Sequence, residues 1–223
     1  MFKKLINNLK EAIKDRDDID PSRFNDPVAM ETEWGPAKKG GASFCTHKLH
    51  RIRPNRVAFK MTAGAMLFGL IFALVGIGVL IGATVMFLKQ GADVDLMPMI
   101  MMTVFGLVFG VVGIAMLRMM SVPSVIDTKL GLFWKGRQDP RMVGNRNRLK
   151  TCVELDKVHA VQIIREYCRS SGQNSSSYYS YEVNFVLHDG SRVTVVDHGN
   201  HKRIRQDAEM LSQTLGVPLW DAS

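Results

Sequence analysis

Charge is missing from two long stretches of this sequence. Residues 61–88 and 96–117 contain no Asp, Glu, Lys, Arg or His. A charge in hydrocarbon must be solvated by something, so ion and proton paths usually carry buried ionisable groups. Their absence argues against a transporter built from this chain alone. Thr62, Thr84 and Thr103 are the only hydroxyls in the two stretches, and each can satisfy its own helix backbone. A pore assembled from many copies is compatible with this composition.

Cysteine is scarce as well. Cys45, Cys152 and Cys168 are odd in number and widely spaced, without metal-binding spacing, which points to reduced structural thiols. Also missing are a glycine-rich phosphate loop, a nucleophile elbow and paired carboxylates at telling spacing. No enzyme activity and no cofactor are expected from such a chain.

What is present begins with those two apolar stretches. A helix of about 20 residues crosses the roughly 30 Å hydrocarbon core of a bilayer. Both stretches reach that length, and only Lys89-Gln-Gly-Ala-Asp-Val-Asp95 separates them. Neither shows the polar stripe of a helix in a water-soluble core. They are read as a transmembrane helical hairpin within residues 57–120, with the first span long enough to tilt or protrude.

Gly78-Val-Leu-Ile-Gly82 and Gly106-Leu-Val-Phe-Gly110 are small-xxx-small patterns that permit close backbone approach. Gly78 and Gly106 are equidistant from the turn centre near Ala92, so Gly78, Gly82, Gly106 and Gly110 are the expected seam inside the hairpin. Contact with a second copy is the competing use.

The net charge is +8, and its placement matters more than the total. Lys48, Arg51, Arg53, Arg56 and Lys60 precede the first span with no acid among them, and Arg118 ends the second. By the positive-inside rule both termini are cytoplasmic, in a multi-pass protein of a bacterial inner membrane. Lys3 and Lys4 could open a signal peptide, but Asn7, Asn8, Lys10 and Glu11 interrupt the apolar run that should follow.

Residues 1–56 read as a cytoplasmic arm. Phe2, Leu5, Ile6, Leu9 and Ile13 recur at helical spacing, with lysines on other faces. That amphipathic helix, 2–14, suits the inner membrane surface or a protein groove. Residues 15–56 read as irregular, broken by Pro21, Pro27, Pro36 and Gly40-Gly41. Trp34 and Phe44 are isolated aromatics that could sit at the interface or pack on the domain.

From residue 121 onward the signal is strands. Residues 124–128 and 132–134 read as a hairpin; 151–155 and 160–168 are further strands. Tyr181, Val183, Phe185 and Leu187 alternate with Glu182, Asn184, Val186 and His188, implying one buried face. Asp189-Gly190 reads as a two-residue turn into 192–196. Residues 202–215 read as a helix whose apolar face is Ile204, Ala208, Leu211 and Leu215, stopped by Gly216. The fold class is a membrane α+β protein: a transmembrane hairpin plus a mainly antiparallel β domain closed by a carboxyl-terminal helix.

This order resembles bacterial two-span inner-membrane proteins of uncharacterised role that carry a pleckstrin-homology-like cytoplasmic domain. The resemblance lies in Ile126-Asp-Thr-Lys-Leu-Gly-Leu-Phe-Trp134, Val158-His-Ala-Val-Gln-Ile163, Tyr181-Glu-Val-Asn-Phe-Val-Leu-His-Asp-Gly190 and the closing helix. It implies a bent antiparallel sheet capped by a helix, and a role as adaptor or assembly factor.

Two stretches are candidate sites. Loop 135–150 holds Lys135, Arg137, Arg141, Arg146, Arg148 and Lys150 against one acid, and faces inner-leaflet phosphates if it lies near the second span. Its expected partners are anionic head groups, a protein, or a second copy. Nucleic acid is not expected, since no aromatics are interleaved. Asp197, His198 and His201, with His188 nearby, could hold a divalent metal and serve a metal-dependent enzyme. The simpler reading is that Asn200 caps the helix and Gly199 allows the turn. The leading functional expectation is a non-enzymatic, membrane-anchored adaptor; the alternative is an accessory or pore-lining subunit of a transport or secretion complex.

Overall fold

The computed structural model describes residues 19–91, 95–143, 149, 151–169 and 176–223. The expected amphipathic helix 2–14 lies outside them. A five-residue helix α1 (Pro27–Glu31) is followed by strands β1 (His47–Arg53) and β2 (Arg56–Met61), and then by long helices α2 (Ala63–Gln90) and α3 (Leu96–Met120). Strands β3 (Ser124–Asp127), β4 (Leu132–Lys135), β5 (Thr151–Glu154), β6 (Val158–Arg169), β7 (Ser177–Leu187) and β8 (Arg192–His198) come next. Helix α4 (His201–Leu215) and strand β9 (Leu219–Ala222) complete the chain.

Both long helices are long and apolar enough to cross a membrane. Their mutual contact is made by small residues. A methyl group on Gly76 would collide with the backbone of Gly110 and lie 2.7 Å from Gly106 O. One on Gly113 would lie 2.8 Å from Ala73 Cα. Gly106 and Gly110 therefore do line the seam, but Gly78 does not: a side chain there would meet nothing within 4 Å. Gly82 approaches only Met102 Cε, at 3.8 Å. Equal distance from the turn pairs residues by depth alone; facing is set by the 3.6-residue helical period, which brings Gly76 inward and turns Gly78 out.

The hairpin is inserted between two neighbouring strands. β2 leads into α2, and the chain returns from α3 into β3, which pairs antiparallel with β2 from Arg56↔Asp127 to Phe59↔Ser124. The first sheet has the order β1-β2-β3-β4-β5 and the second β8-β7-β6-β9. All pairings are antiparallel except β6 with β9. The sheets enclose one apolar core, where Phe59, Ile126 and Phe133 meet Ile163, Val183 and Phe185. Ile204, Ala208 and Leu211 of α4 join the same core.

Two expectations need correction. Residues 47–53 are a strand rather than irregular chain; only Leu49 in it is buried, so cations hide the alternation. The alternating strand β7 is buried on both faces. Glu182, Asn184 and Val186 are as enclosed as Val183 and Phe185, because residues 19–46 lie across the second sheet as a strap.

Polar bonds hold that strap. Glu182 accepts from the backbone N–H of Ala37 and Lys38, each at 3.1 Å. Gln162 Nε2 donates to Glu33 O at 3.2 Å. Arg192 donates to Gly35 O at 2.6 Å. Buried polar groups need such partners, and the strap backbone supplies them. Trp34 stacks on Phe24 at 4.9 Å and lies near Trp220, so it packs on the domain.

The β7–β8 connection also differs from the expected two-residue turn. Leu187 N–H donates to Ser191 O, and Gly190 N–H to Leu187 O. Three residues lie between, with only Gly190 at positive φ (74°). Asp189 as well as Gly190 would need positive φ in a two-residue type I′ turn, and only Gly190 adopts it.

Candidate functional site

The site-bearing region is the junction where the hairpin leaves the first sheet. Thr62 is the hinge residue: its hydroxyl accepts from Ala65 N–H at 3.2 Å, capping α2, and donates to Cys45 O at 2.8 Å. On the α3 side, His47 Nε2 donates to Met120 O at 2.9 Å. Phe44 packs on Phe68 of α2, with ring centroids 5.8 Å apart. The strap, the first sheet and both helices are thus tied at one level.

Of the basic loop, Arg146, Arg148 and Lys150 lie outside the described residues. Lys135 ends β4 and is half-buried; desolvation pushes its pKa down, against the pull of Asp197. Arg137 donates to Arg118 O at 3.3 Å and to the Ser121 hydroxyl, both at the end of α3. Arg141 grips Asp139 with two bonds of 3.0 and 2.9 Å. Arg56 joins Asp139 at 3.1 Å and Asp127 at 2.6 Å. The Arg141 hydrogen bonds, with help from Arg56, hold the Asp139 carboxyl well below the usual carboxylate range. Within the described part of the loop, Arg137 and Arg141 are anchored.

A cavity of about 200 Å³ opens on the outer face of the first sheet. Ala58, Pro123, Val125 and Trp134 give it an apolar lining, and Arg56, Lys60, Arg137 and Asp139 give it charge. Arg56 lies over the Trp134 ring, 5.3 Å from its centroid. The indole N–H of Trp134 is buried and has no hydrogen-bond partner among the described residues. Of these residues only Arg137 belongs to the sites expected from sequence. The overlooked signal was the strand period itself, which places Arg56, Ala58 and Lys60 on one face.

The expected metal candidates do not converge. His198 is fully buried; its Nδ1 accepts from Asn200 N–H at 3.2 Å, and its Nε2 lies 3.9 Å from Cys45 Sγ. Desolvation, then the neighbouring His47, pushes its pKa down to about 4. His201 Nε2 instead meets Ser223 Oγ at 2.7 Å, and the ring stacks on Tyr181. The Asp197 carbonyl accepts from Thr46 Oγ1 at 3.1 Å. His188 points to His159, 3.2 Å away. No group of three or more His, Cys, Asp or Glu suited to a metal occurs among the described residues. Asn200 does cap α4, accepting from Arg203 N–H at 3.0 Å. None of the three thiols is in a disulfide, and burial pushes those of Cys45 and Cys168 up, away from the reactive thiolate.

Comparison with known proteins finds no matching family model, no matching curated protein and no matching solved structure.

Proposed function

We propose that the chain is a non-enzymatic, two-span protein of a bacterial inner membrane that acts as an adaptor or assembly factor. In this reading α2 and α3 cross the bilayer, both termini are cytoplasmic, and the sheets form a contact platform at the inner surface. The observation that carries it is the coupling of the hairpin to the sheet: α2 and α3 emerge from adjacent strands β2 and β3. A platform so attached is held at fixed height and orientation. The basic residues that precede α2 and end α3 then favour the cytoplasmic side.

The pleckstrin-homology-like resemblance is supported by two mainly antiparallel sheets over one core with a late helix. Strand β9, added parallel to β6 after that helix, departs from the expected plan. Platform contacts are with anionic lipid and with protein.

A second reading, a subunit of a larger membrane complex, draws on Gly78. It faces away from α3 with open space around it, leaving room for a helix from another chain. Reporter fusions at both ends and at the helix turn test topology: the ends should report cytoplasm and the turn the opposite side. Mild-detergent purification separates the two readings. A lone or self-associated chain favours the adaptor, whereas a fixed multi-subunit stoichiometry favours the complex.

A further inference from the structure

We propose that the cavity on the outer face of the first sheet seats the phosphate headgroup of an anionic phospholipid. This rests on the membrane reading above, which sets the hairpin base at headgroup level. Lys60 lies three residues before α2 begins, and Arg137 is bonded to the end of α3. Both cations therefore stand where the helices leave the sheet. A headgroup reaches them while its acyl chains stay beside the helices.

Charge in the cavity is unbalanced. Three cations line it against one acid; Arg56 is paired with that acid, Asp139, and with Asp127, which leaves Lys60 and Arg137 without a carboxylate partner among the described residues. Across the β1–β2 ladder Lys60 stands directly opposite Lys48. Both are exposed, and neither has an ion-pair partner among the described residues. Like charges directly opposite destabilise a sheet; an anion between them removes that cost.

A donor is also waiting. The Trp134 indole N–H is buried without a partner among the described residues, a state that costs free energy. Its pyrrole edge borders the cavity: a methyl group on Gly136, another lining residue, would lie 3.9 Å from Trp134 Cδ1. A phosphate oxygen accepts from such an N–H, and Arg137, whose Nη2 is bonded at the end of α3, keeps its Nε and Nη1 donors. The volume of about 200 Å³ falls below the roughly 300–1,000 Å³ of pockets for drug-sized ligands, which suits a headgroup.

The test uses the full chain in nanodiscs of phosphatidylcholine, with or without phosphatidylglycerol, and reads lipid retained after transfer to mild detergent by native mass spectrometry. Phosphatidylglycerol should be retained in preference. Lys60→Gln and Arg137→Gln should each weaken retention about fivefold, in line with the contribution of one cation at a lipid surface. Lys202→Gln on the exposed face of α4 should not. Circular dichroism checks that each variant is folded.

Equal retention of both lipids, or equal behaviour of Lys60→Gln and Lys202→Gln, would overturn the assignment. So would full competition by millimolar inorganic phosphate, which marks a free-anion site, or by an acidic peptide, which marks a protein partner. Alkaline carbonate extraction of the same membranes scores the membrane reading separately. A chain that stays in the pellet but shows no lipid preference sinks the headgroup site alone, whereas a chain released by carbonate sinks both.

Discussion

The helical hairpin and the two sheets follow opposite packing rules within one chain. In the sheets the large apolar residues are inside: Phe59, Phe133, Phe185 and Trp220 are almost wholly buried. In the hairpin the buried positions belong to Ala65, Gly69, Ala73, Gly76, Ala83, Gly106, Gly110 and Gly113, while Leu67, Leu74, Ile81 and Val111 stand exposed. Water drives large side chains inward because their apolar area is removed from solvent. In hydrocarbon that driving force vanishes between helices, and close backbone packing replaces it, so small residues turn inward. On the membrane reading proposed above, solvent rather than residue type decides which side chains face in.

The largest expected effects break one rule at a time. Gly76→Leu drives a side chain into the Gly110 backbone, which cannot give way by rotating a bond. The two helices should separate, and a cysteine pair placed across the seam should no longer crosslink. Phe133→Ala breaks the opposite rule. Phe133 is fully buried and meets Phe185 edge-on, with centroids 5.1 Å apart. Its truncation should cost about 3–5 kcal/mol, read as early melting of the sheet circular dichroism signal while the seam crosslink persists. Loss of both signals together would mean that the regions do not fold by separable rules.

The same contrast explains what could be read beforehand. Spans 61–88 and 96–117 fall almost on Ala63–Gln90 and Leu96–Met120, since an uninterrupted apolar run of that length favours one continuous helix. The closing helix, its Asn200 cap and its Gly216 stop, with φ 68°, follow from local rules. Strand β1 escaped because one buried Leu49 among cations leaves no visible period. Strand β9 escaped because its partner β6 is far away in sequence. Nothing local in Glu182 or Asn184 announces a strap more than a hundred residues distant. Gly76 and Gly78 are alike in sequence; only the facing of α3 separates them.

A smaller effect sharpens the comparison from the sheet side. His198 is buried neutral, with its pKa pushed down to about 4 from an unfolded value of 6.5. The unfolded chain therefore binds a proton that the folded chain refuses. The associated stability is fully present above pH 6.5 and is lost as pH falls toward 4, a total of roughly 3 kcal/mol. His47, also pushed down by burial, adds in the same sense; Asp207, pushed up, opposes it at the acid end. Melting of the sheet domain should drop through this window, and His198→Gln should flatten the slope. The hairpin, which has no ionisable group at its seam, should keep its crosslink over the same range.

The smallest effect on the hairpin itself should come from Gly78→Leu. A methyl group added here meets nothing within 4 Å, and helix propensity even favours Leu over Gly by up to about 1 kcal/mol. The seam crosslink should persist, in contrast to Gly76→Leu two residues away. If Gly78 seats another helix, the leucine instead blocks that approach, and the oligomer or complex recovered in mild detergent should fall apart while the chain stays folded. If the face is bathed only in lipid, the variant should purify like the parent. One substitution thus separates hydrocarbon from protein as the neighbour of that glycine, and loss of a multi-subunit complex, rather than of a self-associated chain, favours the subunit.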